Sequence, residues 1–278
     1  MPDGLLFIDK TEGITSRRID NLIQKKFNQK KVGHLGTLDP FATGLLVVSL
    51  GKGGKCLPYL SQSPKTYIAS LQLGKKTSTG DKDGEVIEER KVEAITDETI
   101  KKVLESFLGK SMQLPPMTSA IKVEGKPLYE LAHKGIEIER KPREIEVYSI
   151  KLLFRLGKQI DFIVSVSSGT YIRTLGEDIA DRLGTIGHLI ALRRIQVGNI
   201  DISKAKPIDE VEEADVIDPA PYIDLPHLEI DEETVVKAKN GVKLDIELEG
   251  ETLLTHQGKA IAVYAPEGKA AISKRGLF

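Results

Sequence analysis

The loop from His34 to Gly44 contains the residues with the clearest potential for chemistry. Its sequence, HLGTLDPFATG, places Asp39 directly before Pro40 and between Gly36 and Gly44. Proline restricts the preceding residue to extended backbone angles and glycines permit a tight loop, so the Asp39 carboxylate is expected to point in one direction. A carboxylate held in this way can act as a nucleophile or stabilise positive charge. Asp-Pro is also common in turns, so the residue types alone leave a purely structural role open.

The elements on either side of this loop follow from hydrophobic spacing. Apolar residues 5–8 predict a short strand. Thr15 or Ser16 is then placed to cap a helix whose apolar residues recur at helical spacing as far as Phe27. The run LLVVSL after the loop predicts a buried strand. The loop is therefore expected to connect a helical segment to a strand.

Further along the chain, strands and helices mix without a regular βαβ rhythm. Strands are predicted at residues 66–73, and then at 145–156 and 159–167 as an antiparallel hairpin. Amphipathic helices are predicted at 100–108 and 172–183, and a short helix from Pro127 to Gly135. This order favours an α+β fold.

The composition changes near residue 205. Residues 206–251 contain fifteen acidic and four basic residues, and four prolines lie between 207 and 226. Beyond them, short strand candidates separated by glycine turns are typical of a small β-barrel. We therefore predict a catalytic domain over 1–204, an acidic connecting segment over 205–226 and a small domain over 227–278.

The composition is that of a reduced globular protein. The chain has 278 residues, of which 40% are hydrophobic and 29% charged, which excludes a disordered or collagen-like chain. A single cysteine, Cys56, excludes an internal disulfide, and the five histidines show no metal-ligand spacing. No apolar run approaches the roughly 20 residues that span a bilayer, and the N-terminus does not resemble a signal peptide. We expect a cytoplasmic protein without a metal.

Six sequence blocks, in order, resemble the TruB family of tRNA pseudouridine synthases. HLGTLDPFATGLL resembles the family signature, LLFIDKTEGITS its opening, KTYIASLQLG its second motif and PPMTSAIKVEGKPLYELAHKG its middle. SSGTYIRTLGEDIADRLG and HLIALRRIQVG resemble its later motifs. The resemblance implies the pseudouridine synthase fold, a mixed and largely antiparallel sheet flanked by helices and loops. The tail from residue 227 resembles a short PUA domain, an RNA-binding β-barrel.

This resemblance implies an isomerase that converts uridine 55 in the T-loop of tRNA to pseudouridine. Such an enzyme flips the base out of the RNA, breaks the N1–C1′ glycosidic bond and joins C5 to C1′. The reaction involves no redox change and no net hydrolysis, so no cofactor is expected. The implied partner is tRNA, bound through its T-loop and stem, with neither a membrane nor a metal, and the expected state is a monomer.

The resemblance also implies three catalytic residues. Asp39 matches the catalytic aspartate, which acts as the nucleophile, and Arg173 matches the arginine that pairs with it and favours its ionised form. Tyr67 matches the tyrosine that packs on the target base. By sequence pattern alone, Arg173 is typical of a helix surface and Tyr67 of a core. The covalent path stays open between attack at the sugar, attack at the base and removal of the C2′ proton.

Four further residues match family positions near the substrate. His34 matches the histidine that stacks in the RNA loop after the nucleotide leaves, and Tyr171 and Leu192 match walls of the base pocket. Lys10 matches a lysine near the active site, where a phosphate contact and a structural role are equally open. Basic residues between 25 and 31 are candidates for phosphate contacts.

Three other activities are compatible with parts of this pattern. A non-catalytic tRNA-folding or RNA-binding protein would have the same fold, although the intact set of Asp39, Tyr67 and Arg173 argues against it. A hydrolase of N-glycosidic bonds needs a second acid or a metal, and no paired carboxylate accompanies Asp39. A guide-RNA-dependent synthase would act within a multi-protein particle. Turnover, release of free uracil and activity of the purified chain on bare tRNA distinguish these possibilities.

Overall fold

A computed structural model describes residues 1–117 and 138–277, and the backbone of residues 122–123 and 126–127. The middle motif, PPMTSAIKVEGKPLYELAHKG, and the short helix predicted from Pro127 to Gly135 lie largely outside the described residues. Helices and mainly antiparallel strands occur together in the described part, so the predicted α+β class is confirmed. No helix within these ranges is long and apolar enough to cross a membrane.

The elements are numbered in chain order. The strands are β1 Gly4–Lys10, β2 Val32–Leu35, β3 Thr43–Leu50, β4 Lys65–Leu73, β5 Lys75–Thr77, β6 Val86–Glu89, β7 Gly109–Gln113, β8 Lys122–Val123, β9 Lys126–Pro127, β10 Arg143–Leu156, β11 Gln159–Val166, β12 Gly187–Val197, β13 Ile200–Asp201, β14 His227–Glu229, β15 Thr252–His256, β16 Lys259–Glu267 and β17 Ala270–Gly276. The helices are α1 Ser16–Phe27, α2 Asp97–Glu105, α3 Ile172–Arg182 and α4 Glu232–Lys239.

Internal contacts divide the chain into two units. The first unit comprises residues 1–62 and 197–278, and the second comprises residues 63–196. In the first unit, β1 and β2 both pair antiparallel with β3. Helix α1 packs against these strands through an apolar face that includes Ile19 and Ile23, both fully buried. Thr15, one of the two capping residues that the sequence predicts, caps the helix by accepting the Arg18 N–H.

The acidic segment predicted as a connection is hydrogen-bonded along β1. Leu5 and Ile217 exchange backbone hydrogen bonds of 2.9 Å, and the Asp9 N–H donates to the Lys206 carbonyl at 2.9 Å. These bonds satisfy backbone groups at an otherwise open strand edge. The segment is thus part of the first unit, while the predicted domain boundaries stay a prediction.

The C-terminal residues of the first unit form a sheet in the order β14-β15-β16-β17. Strand β14 pairs parallel with β15, and the other neighbours pair antiparallel. Helix α4 and Tyr264 contribute to the apolar core beside this sheet. The described strands form an open sheet where the sequence analysis predicts a closed barrel, because its outer strands β14 and β17 are not neighbours.

The second unit is built on a sheet in the order β12-β4-β11-β10-β7. The predicted hairpin is present, with β10 and β11 antiparallel and joined through Gly157, whose φ of 58° favours glycine. Alternate residues of β11 are buried, as expected for a strand with one face on the core. Helix α2 is capped by Thr96, and α3 buries Leu175 and Ile179.

Candidate functional site

The predicted catalytic loop is attached to the first turn of α1. Ser16 Oγ accepts the Leu38 N–H at 2.9 Å and donates to the Leu38 carbonyl oxygen at 3.0 Å. Both residues are buried, so water does not compete for these bonds. Gly36 and Gly44 have φ values of 68° and 97°, which confirms that the loop turns through conformations that favour glycine. The residue before Asp39 is therefore held by two hydrogen bonds.

Lys10, at the end of β1, holds the residue that follows Asp39. Its ammonium group donates to the carbonyl oxygens of Ile14 at 2.7 Å, Thr11 at 3.0 Å and Pro40 at 3.2 Å. The lysine is only 1% exposed. These contacts give Lys10 a structural role in the loop, while a contact with an RNA phosphate stays a prediction. Asp39 is only partly buried and lies between two positions that the protein holds fixed.

His34 lies on β2 at the start of the same loop. Its Nδ1 donates to Asp20 Oδ2 at 2.9 Å, and its Nε2 lies 3.1 Å from Thr37 Oγ1. Asp20 is 1% exposed, whereas the His34 side chain is 16% exposed. No sequence motif points to Asp20. An acidic residue at a core-facing position of an amphipathic helix, next to Ile19, was the available signal.

In the second unit, Arg173 is buried near the start of α3. Its Nη1 donates to the Thr79 carbonyl at 2.8 Å and lies 3.4 Å from Asp81 Oδ2. The Arg173 and Asp81 side chains are 5% and 6% exposed. Arg173 is therefore not the helix-surface residue that its sequence position alone suggests, and it forms a buried ion pair with Asp81.

Asp81 organises the loop between β5 and β6. Its Oδ1 accepts the Thr79 hydroxyl at 2.6 Å and the Asp83 N–H at 3.1 Å. Its backbone carbonyl accepts the Thr77 hydroxyl at 2.7 Å. The sequence around Asp81 gives no sign of this role, because a short polar loop rich in Gly, Asp and Thr is typical of any turn. Only the folded chain shows that one acid in this loop is buried against Arg173.

Tyr67 and Lys65 lie on the same face of β4, because side chains alternate along a strand. Both residues are 7% exposed. Lys65 Nζ donates to Ser168 Oγ at 3.3 Å. Burial, together with the nearby charge of Arg194, lowers the pKa of Lys65 from 10.5 to about 8. A buried lysine beside the predicted catalytic tyrosine is a second feature that the sequence analysis did not select.

Two further predicted residues also lie in the second unit. The backbone of Tyr171 is bound by Gln113, whose Oε1 accepts the Tyr171 N–H at 2.8 Å and whose Nε2 donates to the Tyr171 carbonyl at 3.0 Å. Leu192 is buried on β12. The predicted site residues thus form two groups. Lys10, His34 and Asp39 belong to the first unit, and Tyr67, Tyr171, Arg173 and Leu192 belong to the second. No three His, Cys, Asp or Glu side chains in the described ranges are grouped to hold a metal ion.

Comparison with known proteins identifies the family. Residues 24–172 match the model of the TruB family pseudouridylate synthase (N terminal domain), and residues 173–219 match the tRNA pseudouridylate synthase B C-terminal domain. The chain belongs to the TruB family of pseudouridylate synthases. This membership confirms the predicted family and the predicted enzyme class, an isomerase.

Individual relatives extend the TruB match over most of the chain. The tRNA pseudouridine synthase B of Hydrogenovibrio crunogenus is 44% identical over 260 residues, which cover 91% of this chain and 84% of that protein. The tRNA pseudouridine synthase B of Syntrophotalea carbinolica is 36% identical over 279 residues, covering 98% and 91%. Among solved structures, a Cbf5-Nop10-Gar1 complex contains a chain with a TM-score of 0.75 and 22% identity, covering 100% of this chain and 85% of that one. That similarity confirms the predicted fold.

The hydrogen bonds of Ser16 to Leu38 lead to a prediction about the loop that contains Asp39. Replacing Ser16 with Ala leaves the buried backbone groups of Leu38 without this partner, so the free energy of unfolding should fall by about 1–3 kcal/mol. Catalytic turnover should fall as well, because Asp39 is held less firmly. Urea unfolding and turnover measurements test this, with Ser111→Ala at an exposed strand position as the control. Equal unfolding free energies and equal turnover rates in the two variants would contradict the role of Ser16.

The buried ion pair generates a second prediction. Asp81→Asn removes a buried charge that lies 3.4 Å from the Arg173 guanidinium, so we expect a loss of about 3 kcal/mol in the free energy of unfolding. Asp83→Asn makes the same chemical change at an exposed position of the same loop and should have little effect. Urea unfolding of both variants decides between these outcomes. A similar small loss in both would show that the Arg173–Asp81 pair does not stabilise the loop.

The lowered pKa of Lys65 generates a prediction about pH. Between pH 8 and 10.5 the unfolded chain retains the Lys65 proton while the folded chain releases it, so stability rises with pH through this window. Relative to Lys65→Met, the wild-type protein should gain roughly 2 kcal/mol of unfolding free energy between pH 8 and pH 10. Urea unfolding at several pH values measures the difference, with Lys151→Met at an exposed position as the control. Parallel pH curves for the wild type and Lys65→Met would contradict the buried-lysine assignment.

Proposed function

We propose that this chain is a tRNA pseudouridine synthase that isomerises uridine 55 in the T-loop. The observation that supports this most strongly is the loop in which Ser16 and Lys10 hold the residues on both sides of Asp39. The relatives that match most of the chain are named tRNA pseudouridine synthase B, which supports tRNA as the substrate. Because tRNA is a cytoplasmic molecule, we place the activity in the cytoplasm, with the chain acting as a monomer.

In this proposal Asp39 is the catalytic nucleophile. The N1–C1′ bond of the target uridine breaks, the uracil turns within the site, and C5 bonds to C1′. C5 loses its proton to solvent, N1 gains a proton from solvent, and the bond formed by Asp39 is broken again. Atoms and electrons balance without a redox partner or net addition of water. An ionised carboxylate can attack or stabilise the electron-poor sugar or base, and a fixed backbone keeps its oxygen within reach of one carbon atom.

The other predicted residues support this chemistry. Arg173 favours the ionised form of the nucleophile, since a guanidinium cation stabilises a carboxylate. Tyr67 packs on the target uracil, and Tyr171 and Leu192 form apolar walls around it. The two tyrosine rings offer flat faces and Leu192 offers an apolar contact to a flipped base. They also replace part of the base stacking that the RNA loses.

Recognition of the RNA is proposed to depend on His34 and on the basic residues of the first unit. His34 braces the RNA loop after the uridine has been extruded, which offsets part of the cost of a few kcal/mol for base flipping. Lysines at and after the end of α1 contact phosphates, so affinity should fall as salt concentration rises. Lys10 belongs to the same proposal through the loop, because its buried ammonium group holds the Pro40 carbonyl next to Asp39.

A turnover assay tests the proposed function directly. A T-arm stem-loop RNA that carries tritium at C5 of uridine 55 should release tritium into water with the wild-type protein, because the C5 proton is lost in forming pseudouridine. Asp39→Asn should lower the rate about 10³-fold or more, since the amide is a poor nucleophile. Asp224→Asn, at an exposed carboxylate, is the matched control and should retain full activity.

The same assay separates the alternatives. Binding of the RNA without tritium release would indicate a non-catalytic RNA-binding protein, and release of free uracil would indicate a hydrolase. Activity of the purified chain on bare RNA would exclude a requirement for a guide RNA. An Asp39→Asn variant as active as the wild type would overturn the proposed nucleophile.

A further inference from the structure

Asp20 is a buried acidic residue, and folding stability does not explain why it is buried. It lies on the inward face of α1 beside Ile19 and is 1% exposed. Oδ2 accepts from His34 and lies 3.6 Å from Arg17 Nη1. Oδ1 accepts no hydrogen bond within the described part of the chain. Burying a carboxylate with one unsatisfied oxygen is unfavourable, so such a residue calls for a reason other than folding.

The partner of Asp20 is an imidazole with both nitrogens engaged by the protein. Nδ1 of His34 faces Asp20 at 2.9 Å, and Nε2 faces the Thr37 hydroxyl at 3.1 Å. A ring held at two nitrogens on different sides has a fixed plane. Because the nitrogens are occupied, the groups of His34 that remain for an RNA are the face and the carbon edge of the ring. The side chain is 16% exposed, so part of it reaches solvent.

The contact between Asp20 and His34 joins the Asp39 loop to the inner face of α1 at a second point. Ser16 holds Leu38 from the first turn of the helix. Asp20, one helical turn further, holds His34 at the other end of the same loop segment, because positions i and i+4 lie on one helix face. Loss of Asp20 would therefore leave the imidazole held by Thr37 alone, while the Ser16 contact next to Asp39 is retained.

We infer that Asp20 is a positioning residue for RNA binding, which fixes the ring plane of His34 so that the ring face meets the nucleic acid. The inference rests on the proposed function, in which His34 contacts the RNA. Aromatic faces stack on nucleobases without needing a particular hydrogen-bonding edge. A ring that rotates freely must be ordered on binding, and this ordering weakens affinity. Asp20 thus orders the ring in advance, at the expense of folding stability.

Affinity and turnover of single variants test the inference. We would measure the Kd of a fluorescent, unmodified T-arm stem-loop RNA, together with KM and kcat for pseudouridine formation. Asp20→Ala should raise Kd and KM about 10-fold while kcat stays within about two-fold of the wild type. Its thermal unfolding midpoint should be equal to or higher than that of the wild type, because the buried carboxylate is incompletely satisfied and the His34 ring, which is 16% exposed, can bind water instead. The control is Asn21→Ala, at the adjacent exposed position of α1.

A double-mutant cycle shows whether Asp20 acts through His34. His34→Phe retains a ring face but has no nitrogen for Asp20 to hold. In that background, adding Asp20→Ala should leave Kd unchanged or improved, whereas it weakens binding about 10-fold in the wild-type background. Asp20→Asn, which retains the shape and an acceptor oxygen, should restore part of the lost affinity. It also serves as the test variant if Asp20→Ala unfolds below the assay temperature.

Several outcomes would overturn the inference. They are an unchanged Kd for Asp20→Ala, an equal loss of affinity in the wild-type and His34→Phe backgrounds, and a fall in kcat rather than a rise in KM. An unmeasurable affinity of the wild-type protein for the stem-loop would also overturn it. Failure of the proposed function is distinguishable, because a wild-type protein that binds the RNA without forming pseudouridine still permits the Kd cycle. An active wild type with no coupling between Asp20 and His34 would refute only the inference.

Discussion

Reliable placement of one carboxylate depends on hydrogen bonds to the backbone on either side of it. Ser16 binds Leu38, and Lys10 binds the carbonyl of Pro40, so the segment that carries Asp39 is held from the start of a helix and from the end of a strand. Both elements are fixed in turn by the apolar core of the first unit. A loop held only by its own turns would fluctuate, and an oxygen that must reach a single carbon atom would rarely be in position.

The same principle operates in the second unit, where a buried carboxylate holds a loop. Asp81 gathers the hydroxyl of Thr79, a backbone N–H and the guanidinium of Arg173 in a buried site. Buried charges lower stability unless they are paired, and they are poor evidence that a protein gains stability from them. Their presence beside predicted site residues in both units indicates that geometry near the site has priority over maximal stability.

The acidic stretch after residue 205 has a structural explanation that charge counts do not reveal. Part of it lies alongside β1 and is joined to that strand by backbone hydrogen bonds. In addition, Asp218 Oδ1 accepts the N–H groups of Ala220 and Ala260 at 2.9 and 3.0 Å. These bonds join the segment both to the N-terminal strand and to the C-terminal sheet of the first unit. Part of the excess of acidic residues in 206–251 therefore consists of acids that act as caps and acceptors within the protein.

The sequence by itself determined the α+β class, the family, helices α1 to α3 and the strands β1, β3, β4, β10 and β11, because hydrophobic periodicity, caps such as Thr15 and ordered motifs are local features. It selected Asp39 and Arg173 through motifs, but spacing alone misassigned Arg173 to a helix surface. Only the tertiary structure decided that Asp20, Lys65 and Asp81 are buried, and that Lys10 binds backbone carbonyls. Burial and pairing depend on residues distant in the chain, so no local pattern contains them.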